Sequence, residues 1–270
     1  MNKSSNTKTN ILSLIIATLA IAASAGGLLL PEFYNDNDFV KTAWFTNDIV
    51  TLTIAVPLLI TAMVKSQMGS TYWRLIWIGV LGYMFYNYAF YLFGSAFNKF
   101  FLIYTGLFSL SGFLLLYMLW KTKTETVATF FNNQTPVKWI SAYLFLMPLI
   151  LFMVELSMIL PFLISEKIPE SIIITGHPTG VVFALDFSIV IPAFIAAALL
   201  LWKRKGWGYI LALMMLVKGF TYGLVLCVST TLLALSDTYG KWDPLMPLYL
   251  VLTTGGVTGC WLLYRHSNEQ

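Results

Sequence analysis

The chain has 270 residues, of which 58% are hydrophobic and only 10% charged. Soluble domains carry about 25% charged residues, so too few polar side chains exist here to clothe a water-facing surface. The mean hydropathy of +0.77 agrees, and apolar runs of about 20 residues exclude disulfide scaffolds, disordered tails and soluble α/β enzymes. The net charge of +4 does not point to nucleic acid, because the cations border hydrophobic runs and form no long block.

Dividing the chain at its charges and turn residues gives eight predicted spans, approximately 11–30, 47–64, 75–94, 100–120, 139–164, 181–202, 207–234 and 246–264. Each is long enough to cross about 30 Å of hydrocarbon at 1.5 Å per residue. The first run follows Lys3 and Lys8 and contains Ala23-Ser24-Ala25, features shared with a cleavable signal peptide. Its continuation through Leu28-Leu29-Leu30 to Pro31 favours a retained span. With the amino terminus inside, eleven cations fall on the inner side (Lys3, Lys8, Lys65, Arg74, Lys121, Lys123, Lys138, Lys203, Arg204, Lys205 and Arg265) and four outside (Lys41, Lys99, Lys167 and Lys241). Seven acids, Glu32, Asp36, Asp38, Glu166, Glu170, Asp237 and Asp243, also fall outside. This asymmetry predicts a multi-pass protein of the cell membrane with both termini cytoplasmic.

The second and sixth spans carry Asp48 and Asp186, each seventeen residues before a lysine, Lys65 and Lys203. In the third and seventh, Arg74 precedes Asn87 by thirteen residues and Lys205 precedes Lys218 by thirteen. The fourth and eighth close with similar segments, Gly112 to Tyr117 and Gly259 to Tyr264. Spans one to four are therefore expected to recur as five to eight, in one transmembrane domain over 1–270 with repeats 1–125 and 126–270. Chance matching in monotonous membrane sequence is the competing account.

Ionisable groups in a bilayer are costly to desolvate and are expected to face the protein interior and pair. Glu155 is seventeen residues from Lys138, like the two aspartates from their lysines, which places all three carboxylates about 26 Å from the inner boundary. Lys218 and Asn87 lie about 20 Å from it. One polar layer in the outer half follows, with Asp186 the favoured partner of Lys218. Tyr222 lies one turn beyond Lys218, and Tyr83, Asn87 and Tyr91 share a face of the third span. Eleven of the twenty-three residues from Tyr83 to Thr105 are aromatic, suited either to interhelical packing or to holding a flat or cationic ligand. Asp48 follows Thr46-Asn47 and fits a helix cap as well as a place in the layer. Glu155 fits a water-facing carboxylate or a functional one, and Asp186 with Lys218 a functional couple or a structural ion pair. Pro57 and Pro192 follow the two aspartates, and Pro148 and Pro161 flank Glu155, so kinked helices are expected around a central space.

Other signals are weaker. His177 stands in an outer Gly-His-Pro turn and reads as an exposed turn residue, with titration or metal binding beside nearby acids as the alternative. No nucleotide-binding loop, zinc-protease helix or nucleophile elbow occurs. Gly255, Gly256 and Gly259 allow close helix approach, within the chain or between copies. The inner segment Thr126 to Phe131 is apolar enough to lie on the bilayer surface.

The stretch from Gly69 through Tyr104, with Tyr-Trp-Arg at 72–74, Tyr-Asn-Tyr at 86–88, Phe-Gly at 93–94 and Phe-Asn at 97–98, resembles bacterial multi-pass membrane proteins of unassigned activity. The resemblance implies residence in a bacterial membrane and carries no catalytic residue across.

Together these features predict an all-α polytopic transmembrane helical bundle of eight spans. It is expected to bind or transport a small solute at an outer-facing polar and aromatic cavity built from Asp186, Lys218, Asn87, Glu155, Tyr83, Tyr91, Tyr222 and Asp48. An intramembrane enzyme acting on a lipid or isoprenoid and an assembly subunit without a small ligand are the alternatives. The lipid bilayer is the expected partner and a homo-oligomer stays open. Nucleic acid and metal are not expected, and no cofactor is specified.

Overall fold

A computed structural model describes residues 3–236 and 240–268, with side chains from residue 7. Asp237 and the side chain of Lys3 lie outside the described residues. The helices are α1 (Lys3–Leu29), α2 (Asp38–Val50), α3 (Val56–Gln67), α4 (Thr71–Gly94), α5 (Phe101–Trp120), α6 (Thr124–Phe130), α7 (Val137–Ser165), α8 (Glu170–Thr175), α9 (Val181–Leu185), α10 (Ile191–Trp202), α11 (Gly206–Ala234) and α12 (Met246–Arg265). Among the described residues eight helical segments are long and apolar enough to cross a membrane. The chain is a multi-pass membrane protein, and the outward Leu102, Phe113, Leu163 and Ile164 give it apolar surface for lipid.

The second span runs from Asp38 to Gln67, nine residues earlier than its charges suggest. Asn37 caps this helix by accepting from the Val40 amide at 3.0 Å, and polar residues continue the helix outward rather than ending it. Asp48 consequently lies well inside a helix and is not a cap.

The second and sixth spans share an interruption. Residues Thr51–Ala55 form a π turn between α2 and α3, and Asp186–Val190 form one between α9 and α10. Pro57 and Pro192 each stand two residues beyond, and a proline cannot donate the amide that an α-helix requires there. The Thr53 hydroxyl donates to the Ile49 carbonyl at 2.7 Å, and the Ser188 hydroxyl to Ala184 at 2.5 Å, at matching positions of the two turns. Asp186 opens its π turn, whereas Asp48 precedes the corresponding turn by three residues. The two aspartates thus sit about one helical turn apart relative to these landmarks.

The two most buried spans, α4 and α11, cross at the centre. A β-carbon at Gly79 would lie 3.1 Å from Val217 Cγ2 and 3.3 Å from the Leu213 carbonyl, so glycine sets their separation. The span containing α2 packs on α11, while α9 packs on α4. Each central helix is therefore flanked by an interrupted span of the opposite half. On the far side of α11, a β-carbon at Gly256 would come within 2.7 Å of the Leu216 carbonyl and the Phe220 amide. Gly256 and Gly259 meet α11, and Gly255 meets Tyr143 of α7, so this glycine group serves packing within the chain.

Residues 126–131 pack against the helical bundle. Val127 is buried, α6 packs on α11, and the Phe131 ring stacks on Tyr209 at 4.4 Å between centroids. The Arg204 guanidinium fastens the following turn by donating to the carbonyls of Asn133 and Thr135 at 2.9 and 3.0 Å.

Candidate functional site

Two buried polar groups lie on either side of α4. The first gathers on α7, the π turn at Asp186, α11 and α12. Asp186 is 3% exposed, and its Oδ1 accepts a hydrogen bond from the Tyr86 hydroxyl at 2.8 Å. The Lys218 ammonium rests over the Tyr86 ring, 3.8 Å from its centroid, and 4.3 Å from that of Tyr222. Those two rings meet edge to face at 5.5 Å. The ammonium is thus held in an aromatic corner, where two ring faces attract a desolvated cation. Lys218 and Asp186 make no direct ion pair among the described residues; Tyr86 stands between them.

Glu155, 4% exposed, projects from α7 into electrostatic contact with Asp186 and Lys218, and its Oε2 has no protein partner. It is interior rather than water-facing. Two acids and one amine share this interior; fully ionised they carry one surplus negative charge, which an apolar environment opposes.

Asp186, Lys218, Tyr222 and Tyr249 line one cavity of about 60 Å³, walled elsewhere by apolar side chains including Met147 and Phe194. Farther along the same helices lies a wider depression of about 620 Å³, bounded by Met158, Glu170, Thr230, Lys241, Trp242 and Asp243. Between the two spaces the Tyr249 hydroxyl donates to Asp243 Oδ2 at 2.9 Å, and Oδ1 of the same carboxylate accepts from the Leu245 amide at 2.8 Å. A phenol and its carboxylate therefore connect chamber and vestibule.

The second group centres on Asp48, 2% exposed. Its carboxylate accepts from the hydroxyls of Tyr34 at 2.7 Å and Tyr91 at 3.0 Å, with Ser24 beside it. A β-carbon at Gly27 would overlap both Asp48 Oδ2 and the Tyr34 hydroxyl, so only glycine lets α1 approach this carboxylate. Burial and the neighbouring Asp48 raise the Tyr34 phenol far above its ordinary range, which keeps it a donor.

Tyr83 and Asn87 lie between the groups on α4. Tyr83 interacts electrostatically with both Asp48 and Tyr222. Both residues are fully buried, and neither the Tyr83 hydroxyl nor either atom of the Asn87 amide has a protein partner. Thr51 stands next to the Tyr83 hydroxyl, Ser24 next to that of Tyr88, and Tyr34 and Asn98 next to that of Tyr104.

Of the residues singled out in the sequence, Asp186, Lys218, Glu155 and Tyr222 come together, Asp48 and Tyr91 form the other group, and Tyr83 with Asn87 lies between. Tyr86, Tyr249 and Tyr34 complete the arrangement and lie outside the eight cavity residues expected from the sequence. His177 is partly buried rather than exposed; burial lowers its pKa, which Asp36 opposes. Among the described residues no group of three His, Cys, Asp or Glu side chains could hold a metal ion. No family model, curated protein or solved structure matches this chain.

Proposed function

We propose that this membrane protein binds a small polar solute in the chamber beside Asp186 and Lys218 and moves it between the chamber and the wider vestibule. The observation that carries the reading is the succession along the same helices of a small, largely apolar cavity bearing Asp186, Lys218, Tyr222 and Tyr249 and a wider one beyond it, with the Tyr249–Asp243 bond between them. A largely apolar wall with a few converging polar groups is the usual composition of a small-molecule site. The vestibule lies at the end bearing the acidic loops, which the distribution of lysine and arginine assigns to the outside.

The surplus acid among Glu155, Asp186 and Lys218 supplies a place for one coupling proton, whose arrival or loss changes the charge of the chamber. The two π turns and their prolines support descent from a duplicated four-span unit, the architecture in which many transporters place their sites. The deciding experiment is thermal unfolding of the purified protein against a panel of small amino acids, amines and carboxylates. A stabilising solute whose effect disappears in both Asp186→Asn and Lys218→Met supports the reading. An equal response in wild type and both variants refutes it.

A further inference from the structure

A separate cavity of about 140 Å³ opens at the cation-rich end, between the starts of α1 and α4, the end of α3 and the inner part of α5. Arg74 lines it together with Asn10, Ser66, Gln67, Ser70 and Thr71. Among the described residues no carboxylate lines it. The Arg74 Nε is buried without a protein partner, and the Nη2 makes only a long 3.4 Å contact to the Lys121 carbonyl. The neighbouring cations turn elsewhere: Lys65 lies over Trp73 at 4.4 Å and Lys121 over Trp120 at 4.5 Å.

The cavity also stands at the amino end of α4, a helix of 24 residues capped by Ser70, whose hydroxyl accepts from the Trp73 amide at 3.0 Å. The positive end of the helix dipole therefore faces the same space as the guanidinium. Hydroxyls of Ser66 and Thr71 and the Gln67 amide supply neutral donors around it. An arginine with free donors, a helix amino terminus and hydroxyls, with no acid among the described residues, form a receptor for a tetrahedral oxyanion.

We infer that this cavity binds a phosphate group, presented either by a free phosphate anion or by the headgroup of an anionic lipid in the adjoining leaflet. Arg74 provides the charged donors and the start of α4 the dipole. The site is distinct from the chamber at Asp186 and does not depend on what that chamber takes.

The test uses the full-length protein in non-ionic detergent, with sodium phosphate replacing sodium chloride at constant ionic strength. Phosphate is expected to raise the unfolding temperature of the wild type. Arg74→Gln should need about tenfold more phosphate for the same shift, whereas Lys138→Gln, an exposed cation elsewhere at this end, should respond as the wild type does. A parallel arm compares phosphatidylcholine vesicles with and without phosphatidylglycerol. Stabilisation by phosphatidylglycerol alone, lost in Arg74→Gln, assigns the site to a lipid headgroup. Should Arg74→Gln not fold, phenylglyoxal modification of wild-type Arg74 is read by mass spectrometry, and protection by phosphate or phosphatidylglycerol supports the site. Absence of any response in both arms, a response unchanged in Arg74→Gln, or unprotected Arg74 overturns it.

Discussion

The Lys218 ammonium lies 3.8 Å from the centre of the Tyr86 ring, while the hydroxyl of that ring donates to Asp186 at 2.8 Å. One side chain thus serves the cation through its face and the carboxylate through its edge. Tyr86→Phe should keep the first contact and lose the second, lowering stability by about 1 kcal/mol. Tyr86→Leu loses both and should fall further. Unfolding temperatures of the two variants in one detergent provide the comparison, and equal losses would remove the distinction between face and hydroxyl.

Asn87 is fully buried with neither amide atom partnered by protein. Replacing such a group by an apolar one of similar size is neutral or stabilising, so Asn87→Leu should unfold at the same or a higher temperature. A loss of stability approaching 2 kcal/mol, the scale for removing a satisfied buried polar group, would show that the amide is structurally committed.

Close approach at Gly27 and Gly256 predicts steric sensitivity. Gly256→Val drives side-chain atoms toward the Leu216 carbonyl and should separate α11 from α12 at about 1–3 kcal/mol. Gly27→Val should displace Tyr34 from Asp48 at a similar loss. Thermal unfolding measures both, and a cysteine cross-link between Leu216 and Gly259 positions tests whether the first variant parts the helices. Wild-type behaviour in both would mean that the neighbouring helices give way freely.

His177 predicts a pH effect of definite sign. Burial lowers its pKa below the ordinary 6.5, so the folded protein favours the neutral ring while the unfolded chain binds a proton more readily. Its contribution is undiminished above about 6.5 and is lost progressively as the pH falls from there toward the folded pKa. Asp36 faces the ring and limits the loss. The unfolding temperature of His177→Gln should therefore fall less than that of the wild type between neutral and mildly acidic pH; parallel curves would contradict this origin.

The spans were legible because uninterrupted apolar runs report burial in lipid directly. The second span starts earlier than its apolar run because Asp38 and Lys41 interrupt that run, although Asn37 caps a helix that includes both. Which phenol reaches which acid was not readable from spacing. Tyr86 is adjacent to Asn87 but lies off the Tyr83–Asn87–Tyr91 stripe, and turns toward the other half of the bundle. Tyr34 reaches Asp48 from the residue after a short 3-10 helix, Pro31–Phe33, a contact set by chain folding rather than helical period. The expected Asp186–Lys218 pair became an arrangement of three because an aromatic side chain is long enough to serve both charges.

The π turns carry a mechanical implication. Each stores one residue beyond the α repeat, and passing that surplus along the helix swivels the intervening side chain by about 100° around the axis. At the sixth span the swivelling residue is Asp186 itself, at the turn's first position. A shift of the bulge by a single peptide would carry its carboxylate off the Tyr86 hydroxyl while the helix on both sides stayed wound, and so would alternate the charge facing the chamber without parting any two spans.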